Sequence, residues 1–160
     1  MKYVFSQTGL RWFWVAILVL IMDRVTKLAA QYYLIAYVPH PLTTFFNFTL
    51  AYNKGASFGF LNSATGWQMW LFGAIAFGVS VGILICLYRL SYQARWLSIA
   101  LSFVMGGALG NLWDRISYGH VIDFIQVYAG QWYFPTFNIA DSAICVGAGM
   151  LFLEAVVKRK

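Results

Sequence analysis

Charge is what this chain has least of. Only 10% of its 160 residues are Asp, Glu, Lys or Arg, and just five are acidic: Asp23, Asp114, Asp123, Asp141 and Glu154. Histidine and cysteine number two each, and proline three. Each scarcity excludes something. His40 and His120, without a G-x-S-x-G nucleophile motif, support a serine triad poorly. Cys86 and Cys145 lie inside apolar runs with no zinc or redox spacing, so they read as small buried apolar side chains. The net charge of +6 would raise nucleic acid as a partner in a soluble protein. Here the basic residues flank apolar runs and no recognition module is present, so no nucleic-acid partner is expected.

Apolar surface is what the chain has in excess. It is 61% hydrophobic and 19% aromatic, with a mean hydropathy of +0.69. That composition belongs to the membrane class. The expectation is a single integral membrane domain over residues 1–160, mainly α, with four transmembrane helices and a small extracytoplasmic β-sheet between helices one and two. The spans are predicted at about residues 12–30, 67–88, 96–112 and 139–157, each near the roughly 20 residues a bilayer requires. The outward loops are then about 31–66 and 113–138. The first segment reads as a retained helix rather than a cleaved signal peptide, because Asp23, Arg24 and Lys27 precede the small residues Ala29 and Ala30. These charges must sit near an interface or against other helices.

With four spans, Lys2, Arg11, Arg89, Arg95, Lys158, Arg159 and Lys160 share one side. Lys54, with Arg24, Lys27 and Arg115, is left for the other. The positive-inside rule then places both termini in the cytoplasm and the aspartate-bearing ends outside. The tryptophans fall near the predicted interfaces, as in an aromatic belt. Small residues recur four apart at Gly78 and Gly82, Gly106 and Gly110, and Ala143 and Gly147, a spacing that lets helices of one bundle approach closely.

The first outward loop is punctuated by Pro39 and Pro41. Phe46–Asn53 then alternates large apolar with small or polar residues, the period of a half-buried strand. Lys54-Gly55 supplies a turn, and Ala56–Leu61 is expected to return as a second strand. The second loop carries His120, Asp123 and the Trp132-Tyr133-Phe134 cluster, which reads as an interfacial anchor.

Because an ionisable group at membrane depth costs roughly 2.5–3.5 kcal/mol, each aspartate is a candidate for function. Asn111 and Arg115 are spaced i, i+4 at the outer end of the third span; Asn138 and Asp141 are spaced i, i+3 at the start of the fourth. Asp23 and Lys27 are i, i+4 on the first, with structural and functional roles equally open. Asp114 reads as an interfacial charge or a partner on the Arg115 side. Two carboxylates sharing a low-dielectric site hold one proton between them. Asp123 and Asp141 could therefore activate water and protonate a leaving group as a pair. A metal site built from His120, Asp123 and Asp141, and a proton-coupled small membrane carrier using the same aspartates, are the alternatives.

Five blocks now stand together in order: Asp23-Arg24-Val25-Thr26-Lys27, Tyr52–Phe58, Gly106–Arg115, Gly119–Phe124 and Phe137–Ser142. Together they resemble bacterial lipoprotein signal peptidase (signal peptidase II), over the whole chain. The resemblance implies an intramembrane aspartic protease of the bacterial cytoplasmic (inner) membrane, with its active site at the outer face. It would cleave diacylglyceryl-modified prolipoproteins just before the lipidated lipobox cysteine. It implies catalytic roles for Asp123 and Asp141, and substrate-binding or orienting roles for Asp23, Lys27, Asn53, Gly55, Asn111, Arg115 and Asn138. No metal and no cofactor is implied. The expected partners are the prolipoprotein, membrane lipid and globomycin-type inhibitors, and the chain is expected to act as a monomer. Trp113, where the family commonly has Tyr, and Lys54 in the Asn-x-Gly block are mild departures. Two roles follow as expectations: the aromatic face at Phe46–Leu61 clamps the lipidated substrate, and Arg115 orients the loop holding Asp123.

Overall fold

The computed structural model describes residues 7–55 and 66–158. A 3₁₀ turn at Gly9–Trp12 leads into helix α1 (Phe13–Tyr33), followed by strands β1 (His40–Thr43) and β2 (Phe46–Asn53). Helices α2 (Trp67–Arg89) and α3 (Arg95–Tyr118) come next, then strands β3 (Val121–Ala129) and β4 (Trp132–Tyr133), and helix α4 (Ile139–Val157) closes the chain. At about 1.5 Å per residue these helices measure about 28–36 Å, bracketing the roughly 30 Å hydrocarbon core of a bilayer. Three of them, α2, α3 and α4, are long and apolar enough to cross a membrane. The run of α1 is interrupted in its middle by Asp23, Arg24 and Lys27.

The burial pattern is inverted relative to a water-soluble bundle. Large apolar side chains such as Trp70, Phe77, Phe152 and Val157 are exposed, while Asp23, Lys27, Asn111, Asp114, Asp123 and Asn138 are buried. Apolar surface left outside needs lipid, and polar groups placed inside need each other. The two cysteines follow the same inversion. Expected to be buried, Cys86 and Cys145 are both exposed, because the outward faces of α2 and α4 are themselves apolar.

Helix α3 is the centre of the bundle. Half of its apolar window is buried, against 22% for α2 and 17% for α4. Close approach explains its glycines. A Cβ at Gly107 would stand 2.3 Å from the Ala140 carbonyl oxygen, and one at Gly110 would stand 2.6 Å from Asp23 Oδ2. A Cβ at Gly106 or Gly147 would also fall under 3 Å from a carbonyl oxygen, 2.8 Å from that of Ala16 and 2.7 Å from that of Ala100. Gly78 and Gly82 differ: a Cβ there meets nothing within 4 Å among the described residues. The spacing of small residues thus marks helix packing on α3 and α4 but an open face on α2.

Helix α3 also outruns its expected end at Leu112, continuing to Tyr118 before Gly119 turns the chain at φ 72°. Trp113, Asp114 and Arg115 are helical rather than in the outward loop. The extra turns persist because their charges are met by partners on α1 and on the loop after β2, described below.

The sheet is larger than expected and drawn from both loops. It is antiparallel, in the order β1-β2-β3-β4. β2 pairs along β3, with Asn53 opposite Val121 and Phe46 opposite Val127, and a register shift between Phe48 and Ala51. The sheet does not lie between the first two helices alone, because half of it comes from the segment between α3 and α4. The expected return strand at 56–61 falls outside the described residues. One face of the sheet packs through Leu50, Ile122 and Phe124 onto Ala30 of α1 and Ile139 at the start of α4. Phe48 belongs to this packed layer, against Phe124.

Candidate active site

One end of the bundle gathers polar groups from α1, β2, α3, β3 and the start of α4. Helix α4 begins with a reciprocal cap. Asn138 Oδ1 accepts from the Asp141 backbone N–H at 2.9 Å, and Asp141 Oδ2 accepts from the Asn138 N–H at 3.2 Å. Such a box satisfies two of the otherwise unpaired first-turn donors. Here it also fixes the Asp141 carboxyl, whose second oxygen accepts from Asn111 Nδ2 at 2.8 Å.

Asp123 enters from β3 and is held by amides too. Its Oδ1 accepts from Asn138 Nδ2 at 2.7 Å and its Oδ2 from Asn53 Nδ2 at 3.2 Å. The same Asn138 amide donates to Asn111 Oδ1 at 3.1 Å and to the Ile122 carbonyl at 3.2 Å. One fully buried side chain therefore touches both carboxyl-bearing segments. Burial pushes the Asp123 carboxyl up to about 7, and the neighbouring Asp141 adds to the rise; the Asn53 and Asn138 hydrogen bonds and the Lys27 charge pull the other way.

Asp123, Asp141 and Asn53 share a cavity of about 420 Å³ whose remaining walls are Phe134, Pro135, Thr136, Phe137, Ser142, Ile144 and Cys145. This is the size and character of a ligand site: mostly apolar, with a few convergent polar groups. The aromatic segment before α4, expected only as an interfacial anchor, supplies Phe134 to this wall and leaves Trp132 and Tyr133 exposed.

The remaining predicted residues stand one layer back. Lys27 is fully buried and donates to Asp23 at 2.7 Å, Asp114 at 2.8 Å and Asn111 Oδ1 at 3.1 Å. Asp23 also accepts from the Ala140 N–H at 2.9 Å, fastening α1 to the first turn of α4. Arg115 donates to the Asn111 carbonyl at 3.2 Å and to the Gly55 carbonyl at 3.0 Å. Gly55 in turn donates to Asn53 Oδ1 at 2.9 Å. Arg115 therefore holds the turn that presents Asn53, not the loop that holds Asp123 as expected from its helix face. Asp114 is no interfacial charge either. It is buried and shared between Lys27 and Arg24, with Arg24 Nη1 at 3.0 Å. The ion pair of Arg24 with Asp114 is what sequence reasoning missed. Its signal was charge balance: two cations on α1 need two buried anions, and Asp23 is only one.

His120 does not join the carboxylates. It packs edge-on against Tyr52, with ring centroids 4.6 Å apart, and burial lowers its pKa. Among the described residues no three His, Cys, Asp or Glu side chains are grouped to hold a metal. The His120–Asp123–Asp141 arrangement is thus not assembled.

Comparison with known proteins places this geometry in a family. Residues 15–157 match the family model for signal peptidase (SPase) II. The chain is similar to the lipoprotein signal peptidase of Pseudomonas fluorescens, at 50% identity over 94% of this chain and 90% of that one. It is 47% identical to the lipoprotein signal peptidase of Yersinia enterocolitica, over 94% of this chain and 89% of the other. A solved bacterial membrane enzyme superposes with a TM-score of 0.83 at 28% identity, covering 94% of this chain and 90% of its own.

Proposed function

The chain belongs to the signal peptidase II family, and from that premise we propose that it removes the signal peptide from diacylglyceryl-modified prolipoproteins, using Asp123 and Asp141 as its catalytic pair. The observation that carries this reading is the shared cavity. Two carboxyl groups, each oriented by neutral amides, open into one apolar chamber at the end of the bundle. A lipidated cysteine beside the scissile bond needs such apolar walls, and the peptide bond needs the two carboxyls.

The chemistry follows from sharing one proton. The charged member takes a proton from a water molecule as its oxygen attacks the carbonyl carbon just before the lipidated cysteine. The protonated member gives its proton to the carbonyl oxygen. As the tetrahedral intermediate collapses, the member that took the water proton gives it to the leaving amine, the other takes back a proton from the diol hydroxyl, and the C–N bond breaks. The signal peptide leaves with a new carboxyl group and the lipoprotein with a free α-amine. An Asp123 carboxyl with a pKa near 7 suits this exchange at neutral pH, because a general acid–base works best close to the operating pH. Asn53, Asn111 and Asn138 orient the pair. Lys27, Asp23, Arg115 and Gly55 support those amides from behind. No metal or cofactor takes part.

In the membrane, α1 joins α2, α3 and α4 as a fourth span, its mid-helix charges answered by Asp114 and by each other. The basic ends at Arg89, Arg95 and Lys158 put both termini in the cytoplasm of a bacterial inner membrane and the cavity at the outer face. The enzyme works as a monomer, and globomycin-type inhibitors occupy the same cavity.

The test is cleavage of a diacylglyceryl-modified prolipoprotein in detergent by wild type, Asp123→Asn and Asp141→Asn, with and without chelator. Cleavage before the lipidated cysteine by wild type alone, unaffected by chelator, is the expected result. Proton-linked transport without cleavage would replace this reading with the carrier, and loss of activity in chelator would replace it with a metal mechanism.

A further inference from the structure

Asp114 lies outside the cavity, and the proposed reaction does not use it. Yet it is fully buried, and its carboxyl accepts from three donors among the described residues. Its Oδ1 accepts from Arg24 at 3.0 Å; its Oδ2 accepts from Lys27 at 2.8 Å and from the Ile122 backbone N–H at 3.2 Å. The last contact is the informative one. Ile122 immediately precedes Asp123, and its carbonyl is held by Asn138 at 3.2 Å. The Ile122 residue is thus gripped at its N–H from α3 and at its C=O from α4. Its side chain is buried in the apolar layer beneath the sheet, while Asp123, its neighbour on an alternating strand, points to the opposite side.

We propose that Asp114 is a positioning residue: it sets where Asp123 stands by holding the Ile122 amide, and it offsets the charge of Arg24 and Lys27 so that less of it acts on the carboxyl pair. This inference rests on the Asp123–Asp141 reading. Asp23 and Asp114 together match Lys27 and Arg24 in number, so the cluster between α1 and α3 is neutral as a whole. Arg24 is anchored on its other side by a hydrogen bond to the Tyr118 hydroxyl and stacks over that ring, 5.0 Å from its centroid. The strut therefore runs from the last turn of α3 through α1 to the backbone of β3.

Removing one charge from a neutral buried cluster changes the field at Asp123. The charged groups facing that carboxyl are Asp141 from α4, Lys27 from α1 and Arg115 from α3. Asp114→Asn keeps an oxygen for the Ile122 N–H but leaves the cation side one charge in excess. An excess cation favours the ionised carboxyl, so the pair gives up its single proton at lower pH. Arg24→Gln does the opposite, leaving an excess anion.

The experiment is the pH dependence of kcat, per folded enzyme, for wild type, Asp114→Asn, Arg24→Gln and Asp123→Asn on a lipidated prolipoprotein. The inference expects kcat of Asp114→Asn to fall about tenfold or more. Its alkaline limb should move down by roughly half a pH unit, and that of Arg24→Gln should move up, since nearby charges of opposite sign shift a pKa in opposite directions. A role confined to folding changes how much enzyme is active without moving the limb, so unmoved limbs in both variants overturn the inference. Wild-type kcat and limb in folded Asp114→Asn overturn it as well. If Asp114→Asn does not fold, the limb of Arg24→Gln decides: upward supports the proposal, unmoved refutes it. Activity in Asp123→Asn would sink the carboxyl-pair reading itself, which is a separate outcome.

Discussion

Asn138 performs two jobs that can be separated by substitution. Its Oδ1 caps α4 through the Asp141 N–H, and its Nδ2 orients Asp123, Asn111 and the Ile122 carbonyl. Asn138→Ser keeps a capping oxygen but removes the amide donor; Asn138→Ala removes both. A helix cap is worth about 1 kcal/mol, so Ala should be less stable than Ser by roughly that amount, or about 2–4 °C in a chain of this size. The donor is a different matter. A hydrogen bond to a charged carboxylate contributes about 1.5–3 kcal/mol. If that stabilisation operates on the reacting geometry, its loss slows turnover about 10- to 100-fold, at 1.36 kcal/mol per decade. Both variants should therefore be equally slow and both melt below wild type, with Ala melting about 2–4 °C earlier than Ser. Thermal unfolding in detergent reads the first difference and single-turnover cleavage the second. A Ser variant with wild-type turnover would refute the orienting role, and one that melts with Ala would refute the cap.

Asn53→Ala removes the donor that favours the charged form of Asp123; the folded pKa of Asp123 then rises, and the alkaline limb of kcat should move to higher pH in a rate profile. Gly107→Ala places a methyl group 2.3 Å from the Ala140 carbonyl, a backbone atom that cannot give way. It should cost at least the roughly 1–3 kcal/mol of an overpacked core and lower the melting temperature. Gly82→Ala, facing open space on α2, should melt like wild type or slightly higher.

The apolar runs made α2 and α4 legible almost to the residue, because a membrane helix is read from length and hydropathy alone. Helix α3 was cut short at Leu112, since Trp113-Asp114-Arg115 reads locally as an interface. What extends it lies about ninety residues away, in the pairing of Asp114 with Arg24. Strand β3 was missed for a related reason. Val121 to Phe124 are all buried, so the run shows no alternation, and its pairing with β2 joins residues 68 to 81 apart in the chain. That Asp123 and Asp141 line one cavity could be anticipated because aspartate is rare here and Asp141 stands three residues after Asn138. The direction in which Arg115 reaches could not, since a shared helix face does not say which neighbouring loop lies above it.

The site's reliance on amides has a physical reason. An arginine or lysine bonded directly to Asp123 would orient it as well as Asn138 does. It would also lower the carboxyl's pKa by about 1–3 units, removing the proton that one member donates in the proposed reaction. Asparagine donates without charge, so it fixes direction with a smaller electrostatic bias. The buried cations are accordingly kept one layer back, and each is neutralised there. Lys27 meets Asp23 and Asp114, and Arg24 meets Asp114. Among the described residues Lys27 makes no hydrogen bond to either carboxyl of the pair; it bonds Asn111, which orients Asp141 from the other end of its amide. The layering lets a charged scaffold, which pins α1 against α3 in an apolar medium, coexist with a carboxyl pair that the proposed reaction requires to share one proton.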